Sequence, residues 1–170
     1  MRLFVAVWPP PAVVDGLEAL TAADAPGVRP VAADARHVTL RFLGTADPDA
    51  VTARLDDADL PAATAVFGPA VTLLGREAVV VPVAGLDGLA AAVTVATATV
   101  GRPPDRRPFR GHATVARLRR GATCPYVGAP FAASFEVGEV VLARSTLGPA
   151  GARYEVMARW AVPVSGRSTA

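Results

Sequence analysis

The sequence predicts an α+β fold in which helices are interspersed among antiparallel strands. Three observations point to it. β-rich runs and helix-periodic segments follow one another in the order βα-ββ-α-ββ-α-βββ, which lacks the strict strand–helix alternation of a doubly wound sheet. The 170 residues are 52% apolar and 19% charged, a composition that buries a core and excludes a disordered chain. Breakers interrupt every apolar run before it is long enough to cross a bilayer. The expectation is a single domain over residues 1–164 and a frayed tail over 165–170.

Residues 2–8 are β-formers closed by Pro9, Pro10 and Pro11, so they read as a strand. Residues 11–23 read as a helix, with proline in its first turn and Val13, Val14, Leu17 and Leu20 on one face. Residues 27–35 are irregular, and 36–43 form a strand ended by Gly44. Asp47 and Pro48 read as an N-cap and first helical residue, starting a helix that turns Val51 and Leu55 inward. Residues 64–74 and 77–83 resemble a hairpin around Gly75 and Arg76. Asp87 is the expected cap of a helix over 88–99, although its threonines and valines are poor helix formers. The stretch 101–110 reads as a loop and 111–118 as a strand. Two last strands, 134–143 and 152–162, meet at a turn near Gly148, Pro149, Ala150 and Gly151.

All 17 basic residues are arginines, so every cation is a planar fork able to grip a phosphate or stack on a base. The net charge of +2 is too small to argue for nucleic acid by itself. Its distribution says more. Arg102, Arg106, Arg107, Arg110, Arg117, Arg119 and Arg120 crowd one stretch whose only acid is Asp105, which is either a solvated loop or an approach surface for a polyanion. Cys124 is the only cysteine, which fits a reducing, cytoplasmic compartment.

The chain has two histidines, and both open the same pattern. One lies in His37-Val38-Thr39-Leu40, the other in His112-Ala113-Thr114-Val115. A single His-x-Thr in a strand carries no information; two copies holding both histidines of the chain do. Residues i and i+2 share a strand face, so each imidazole is expected beside a hydroxyl, with Val38, Leu40 and Phe42 turned to the core. This set suits a phosphodiester. Attack and departure each need a proton transfer, and histidine titrates near neutrality. Thr39 and Thr114 can donate to the non-bridging oxygens, where charge builds in the transition state, and no metal is required. Asp34 and Asp105 are off-pattern as metal ligands, and no phosphate-cradling P-loop is present.

The two motifs, their order and their flanks resemble the 2H phosphoesterase superfamily, and within it the RNA 2′,3′-cyclic phosphodiesterases, also called 2′-5′ RNA ligases. The resemblance spans nearly the whole chain and rests on Met1–Val7, His37–Gly44, His112–Arg117 and Ser145–Tyr154. It implies a bilobal fold, two pseudo-symmetric antiparallel-sheet lobes with helices outside, each lending one motif strand to a central cleft. It also implies hydrolysis of RNA 2′,3′-cyclic phosphate ends to 2′-phosphate ends, without a cofactor. By position, His37 would give a proton to the departing 3′ oxygen and His112 would take one from the attacking water. The expected partner is RNA with such an end, a tRNA fragment or short oligonucleotide, and the expected form is a monomer. Other readings of the same motifs are a 2H enzyme acting on 2′-5′ linked oligonucleotides or another cyclic nucleotide phosphate, and a protein that holds RNA ends without turnover.

Supporting residues follow from alternation. Arg41 shares the face of His37 and Thr39 and either reaches a substrate phosphate or stays in solvent. Arg117 matches a family arginine but needs a bulge or twist to reach the side of His112. Tyr154 either stacks on a base or packs in its strand, and Ser145 and Thr146 are weaker cleft candidates. Two departures from the family stand out. Gly111 occupies a place often held by proline, which is expected to loosen the second motif strand. No aromatic residue lies within Val79–Val83, which bears on base recognition.

Overall fold

A computed structural model describes residues 1–148 and 151–165. The tip of the last turn, Pro149 and Ala150, and the tail from residue 166 lie outside the described residues.

The predicted α+β plan holds. Among the described residues, ten strands form a curled, wholly antiparallel sheet with three helices. The strands are β1 (Arg2–Val7), β2 (Val28–Pro30), β3 (Val38–Thr45), β4 (Thr64–Phe67), β5 (Thr72–Leu74), β6 (Ala78–Ala84), β7 (His112–Leu118), β8 (Ala133–Glu136), β9 (Glu139–Gly148) and β10 (Gly151–Ala161). The helices are α1 (Pro11–Leu20), α2 (Pro48–Asp56) and α3 (Asp87–Ala96). The sheet runs β10-β9-β1-β3-β7-β6-β4-β8, with β2 beside β7 and β5 beside β6. Each half holds a strand, a helix and an antiparallel return strand: β1-α1-β3 in one, β6-α3-β7 in the other. The halves meet at one paired position, Val38 opposite Ala113.

Local chemistry explains most of the elements. Pro11 opens α1, where a missing N–H costs nothing. The Asp47 carboxylate accepts from the Asp49 N–H at 3.2 Å and caps α2 as expected. Asp87 instead lies inside the first turn of α3, after Leu86, and caps nothing with its side chain. The hairpin around Gly75 forms, with β5 and β6 as its arms. The expected strand 64–74 is broken at Gly68 and Pro69, because β4 pairs with β8 and the end of β6. The expected strand 134–143 also divides. Near Val137 and Gly138 the chain leaves β8, at one edge of the sheet, and enters β9 beside β1.

The core lies between the sheet and the helices. Leu3, Val5 and Val7 of β1 and Leu43 of β3 are fully buried, as are Leu17 of α1, Val51 of α2 and Val93 of α3. At about 25 cal/mol per Å² of apolar surface removed from water, each side chain of this size contributes roughly 1.5–3 kcal/mol. The opposite face of the sheet is left to carry the motifs. Among the described residues, no helix is long and apolar enough to cross a membrane.

Candidate active site

His37 stands one residue before β3, and His112 is the first residue of β7. The Val38–Ala113 pairing sets the site. With antiparallel strands in that register, His37 lies across from Thr114 and Thr39 across from His112. The four side chains therefore occupy the corners of a square, histidines on one diagonal and threonines on the other. Diagonal positions of an antiparallel pair are roughly 7–8 Å apart, room for a phosphate between the two imidazoles.

Both rings are fixed in the same way. Nδ1 of His37 donates to the Ala35 carbonyl at 2.8 Å, and Nδ1 of His112 donates to the Arg110 carbonyl at 2.7 Å. A carbonyl only accepts, so the proton is on Nδ1 in each neutral ring. Nε2 is left for the cleft, as an acceptor when the ring is neutral and a donor when it is charged.

The cleft above them has a volume of about 620 Å³. Its lining includes His37, Thr39, His112, Thr114, Ser145 and Tyr154, together with Arg2, Arg29 and Arg117, and no acidic residue. Arg29 and Arg117 are direct cross-strand partners on β2 and β7. Like charges so placed repel, and a bound anion removes that cost. Thr146 is not part of the lining.

The two halves differ in what surrounds their histidines. His37 is stacked on Phe4 with ring centroids 4.8 Å apart, lies 4.8 Å from Trp8, and meets the edge of Tyr154 at 4.9 Å. The Trp8 indole N–H donates to the Asp34 carbonyl at 2.9 Å, which holds that wall of the cage. Burial among these rings pushes the His37 imidazole down to about 4. The Ala35 carbonyl works against that shift, and the nearby His112 adds to it. Ring faces attract a cation, but the lost hydration outweighs them.

This shift carries a stability prediction. An unfolded histidine takes up a proton below about pH 6.5, while folded His37 resists it until about pH 4. The unfolded state therefore binds more protons across that window, and folding stability falls as pH drops through it, by at most about 3 kcal/mol. In urea titrations from pH 7 to 4, His37→Gln is expected to lose less stability than the parent. Equal losses would remove His37 as the cause.

Arg41 and Phe42 depart from the sequence expectation for one reason. In β3 the register with β1 slips so that Ala6 faces Thr39 and Val5 faces Arg41, leaving Leu40 as an extra residue. A bulge of this kind reverses the alternation beyond it. Arg41 therefore points away from the cleft and is 6% exposed, with its guanidinium donating to the Thr94 and Arg102 carbonyls and to Thr97 Oγ1. Phe42, expected in the core, is 41% exposed and lines the cleft. The second motif repeats the device. Val80 faces Thr114 and Val79 faces Ala116, so Val115 is the extra residue and Arg117 turns into the cleft. The fifth residue after each histidine thus reaches the site, Phe42 from one motif and Arg117 from the other.

Gly111 also departs from expectation. A Cβ there would lie 2.3 Å from the Val83 carbonyl oxygen, and the Gly111 carbonyl accepts from the Val83 N–H at 2.9 Å. Glycine lets β6 close tightly on the approach to His112 instead of loosening it. Tyr154 lines the cleft and packs edge-on against His37, so the packing role is the one seen, in a side chain that borders the cleft. Sequence reading missed Arg2, Phe4, Trp8 and Arg29. The first three had a signal: β1 alternates, so Arg2, Phe4 and Trp8 share the face opposite buried Leu3, Val5 and Val7. Among the described residues, no three of His, Cys, Asp and Glu gather closely enough to hold a metal ion.

Solved structures resemble this one along its length. TT0787 of Thermus thermophilus superposes with a TM-score of 0.79 at 26% identity, covering 97% of this chain and all of that one. LigT of E. coli in its apo form superposes with a TM-score of 0.73 at 30% identity, covering 95% of this chain and 96% of that one. The chain belongs to the 2H phosphoesterase superfamily. The MHV ns2 PDE domain, at 18% identity and a TM-score of 0.59, shares the fold of this 2H phosphoesterase. No family model matches the sequence, and no curated protein does. The common ground with the other 2H proteins is the curled sheet with its two half-sheets, and phosphodiester chemistry is the activity that superfamily membership supports.

Proposed function

We propose that this 2H phosphoesterase hydrolyses RNA 2′,3′-cyclic phosphate ends to 2′-phosphate ends. The observation that carries the reading is the square of two histidines and two threonines at the floor of a cleft with three arginines and no carboxylate. The cyclic phosphate sits between the imidazoles. Thr39 and Thr114 donate to its non-bridging oxygens; among the described residues neither hydroxyl has a protein partner. Arg117, with Arg2 and Arg29, holds the anion in place, and Tyr154 borders the terminal nucleoside. His112 Nε2 takes a proton from water as it attacks phosphorus, the P–O3′ bond breaks in line, and His37 Nε2 delivers a proton to the departing oxygen. The depressed pKa of His37 implies that it charges only once the phosphate anion is beside it. LigT structures hold 3′-AMP, ATP, NADP+ and phosphate, which supports a nucleotide in the corresponding cleft here. Both motif strands come from one chain, so the reading needs only a monomer, and the lone Cys124 accords with the cytoplasm.

The test is product analysis. A short RNA ending in a 2′,3′-cyclic phosphate, incubated in the presence of a chelator, should yield a 2′-phosphate end. A 3′-phosphate product, or no turnover, would overturn the reading. Thr39→Val and Thr114→Val should each lower kcat by roughly 10²-fold, as expected for one transition-state donor. An effect confined to KM would place the hydroxyls on the ground state instead. The pH profile of kcat/KM bears on the proton assignment, because an acid limb near pH 4 would make His37 the acceptor.

A further inference from the structure

A second cavity, of about 440 Å³, opens on the other side of β3 between α3 and the 102–109 loop. We propose that it binds the nucleotide on the 5′ side of the reacting end, so that the enzyme reads an RNA strand and not an isolated nucleotide. This rests on the reading of the cleft given above. Three features support it.

The first is continuity. Phe42 lines both the cleft and this cavity. Among the described residues, β3 and β7 pair at the Val38–Ala113 position alone. Toward Phe42, β3 is met by the loop instead of by a strand: the Arg102 N–H donates to the Leu43 carbonyl at 2.7 Å, and the Arg102 carbonyl accepts from Arg41. A strand held in the cleft by its 3′ end can leave over the Phe42 ring.

The second is surface chemistry. Phe42 and Phe109 bring two aromatic rings to the cavity, and Val95 of α3 stands on its rim at 77% exposure. Exposed apolar groups beside arginine forks suit a base that stacks and a phosphate that is gripped. Arg102 supplies the fork, being exposed and in no ion pair among the described residues, with Asp105 near enough to feel its charge. Of the two acids present, Asp105 is taken up by Arg107, through an ion pair at 2.7 Å, and Asp87 remains.

The third is a buried cation with no ion-pair partner among the described residues. Arg41 forms part of the wall; its Nη atoms are bonded, but its Nε is buried without a partner. With no carboxylate paired to it, its charge favours an anion in the cavity.

The test compares adenosine 2′,3′-cyclic phosphate with a triadenylate bearing the same end. It also measures the Kd of a 5′-labelled triadenylate 2′-phosphate by fluorescence anisotropy, which needs no turnover, with unlabelled adenosine 2′-phosphate as competitor. The parent is expected to favour the trinucleotide about tenfold in both KM and Kd, the low end of one stacked base. Val95→Asp and Arg102→Glu, both at exposed positions, should abolish that preference while leaving the mononucleotide KM unchanged. Equal values for the two lengths in the parent, or variants that weaken both lengths alike, would overturn the proposal. Failure to turn over any cyclic phosphate would sink the reaction assigned to the cleft, and the anisotropy comparison would still decide the groove.

Discussion

Replacing either histidine by alanine, His37→Ala or His112→Ala, is expected to lower kcat for a 2′,3′-cyclic phosphate by about 10²–10⁴-fold, the usual worth of one positioned acid or base. Each ring is held by a hydrogen bond from Nδ1 to a carbonyl two residues back, and in the proposed reaction each Nε2 would serve one end of the in-line displacement. The double variant should fall well short of the product of the two single losses, because residues that act as a unit on one transition state are not additive. The variants also separate the halves of the site. His112→Ala removes the neighbour that helps depress His37, so the His37 ring should titrate higher in that background, as read by NMR. Near-full activity in either single variant would end the two-histidine mechanism, and an unmoved His37 titration would remove the coupling between the rings.

Arg41→Met should act on stability. Sequence alternation places Arg41 beside the substrate, whereas the structure places it under α3. There it donates to the Thr94 carbonyl and Thr97 Oγ1 at the end of the helix, each at 2.8 Å, and to the Arg102 carbonyl at 2.9 Å. Burial lowers the pKa of its guanidinium, which nonetheless stays charged. A cation at a helix C-terminus also complements the helix dipole. Methionine matches the stem but leaves three acceptors without their donor in a buried place. With hydrogen bonds to a charged group worth about 1.5–3 kcal/mol each, and coupled here, the expected loss is about 3 kcal/mol. For a chain of this size that is a fall in Tm of roughly 6–12 °C by thermal melt. A loss of turnover with an unshifted Tm would return Arg41 to the cleft.

Much of the site was legible in the residues alone because its information is local. Two His-x-Thr strings hold both histidines of the chain, and alternation within three residues needs no partner strand to put imidazole and hydroxyl on one face. The α+β plan was legible for a similar reason, since periodicity and breakers act over one element at a time. The cage around His37 was harder to see, because Phe4 comes from β1, Trp8 from the residue just after it and Tyr154 from β10.

The residues alone named the candidate reactive groups and the strands that carry them. Tertiary structure decided where each motif points after its third residue. The bulges at Leu40 and Val115 exist only because β1 and β6 pair with β3 and β7, so they belong to the partnership and not to either strand. They turn Phe42 and Arg117 into the cleft and send Arg41 to the helix. The long-range pairing of Val38 with Ala113 then sets each histidine across from the other motif's threonine. A side chain's face can be counted along one strand, but its neighbour across the sheet is fixed by a contact 75 positions away along the chain.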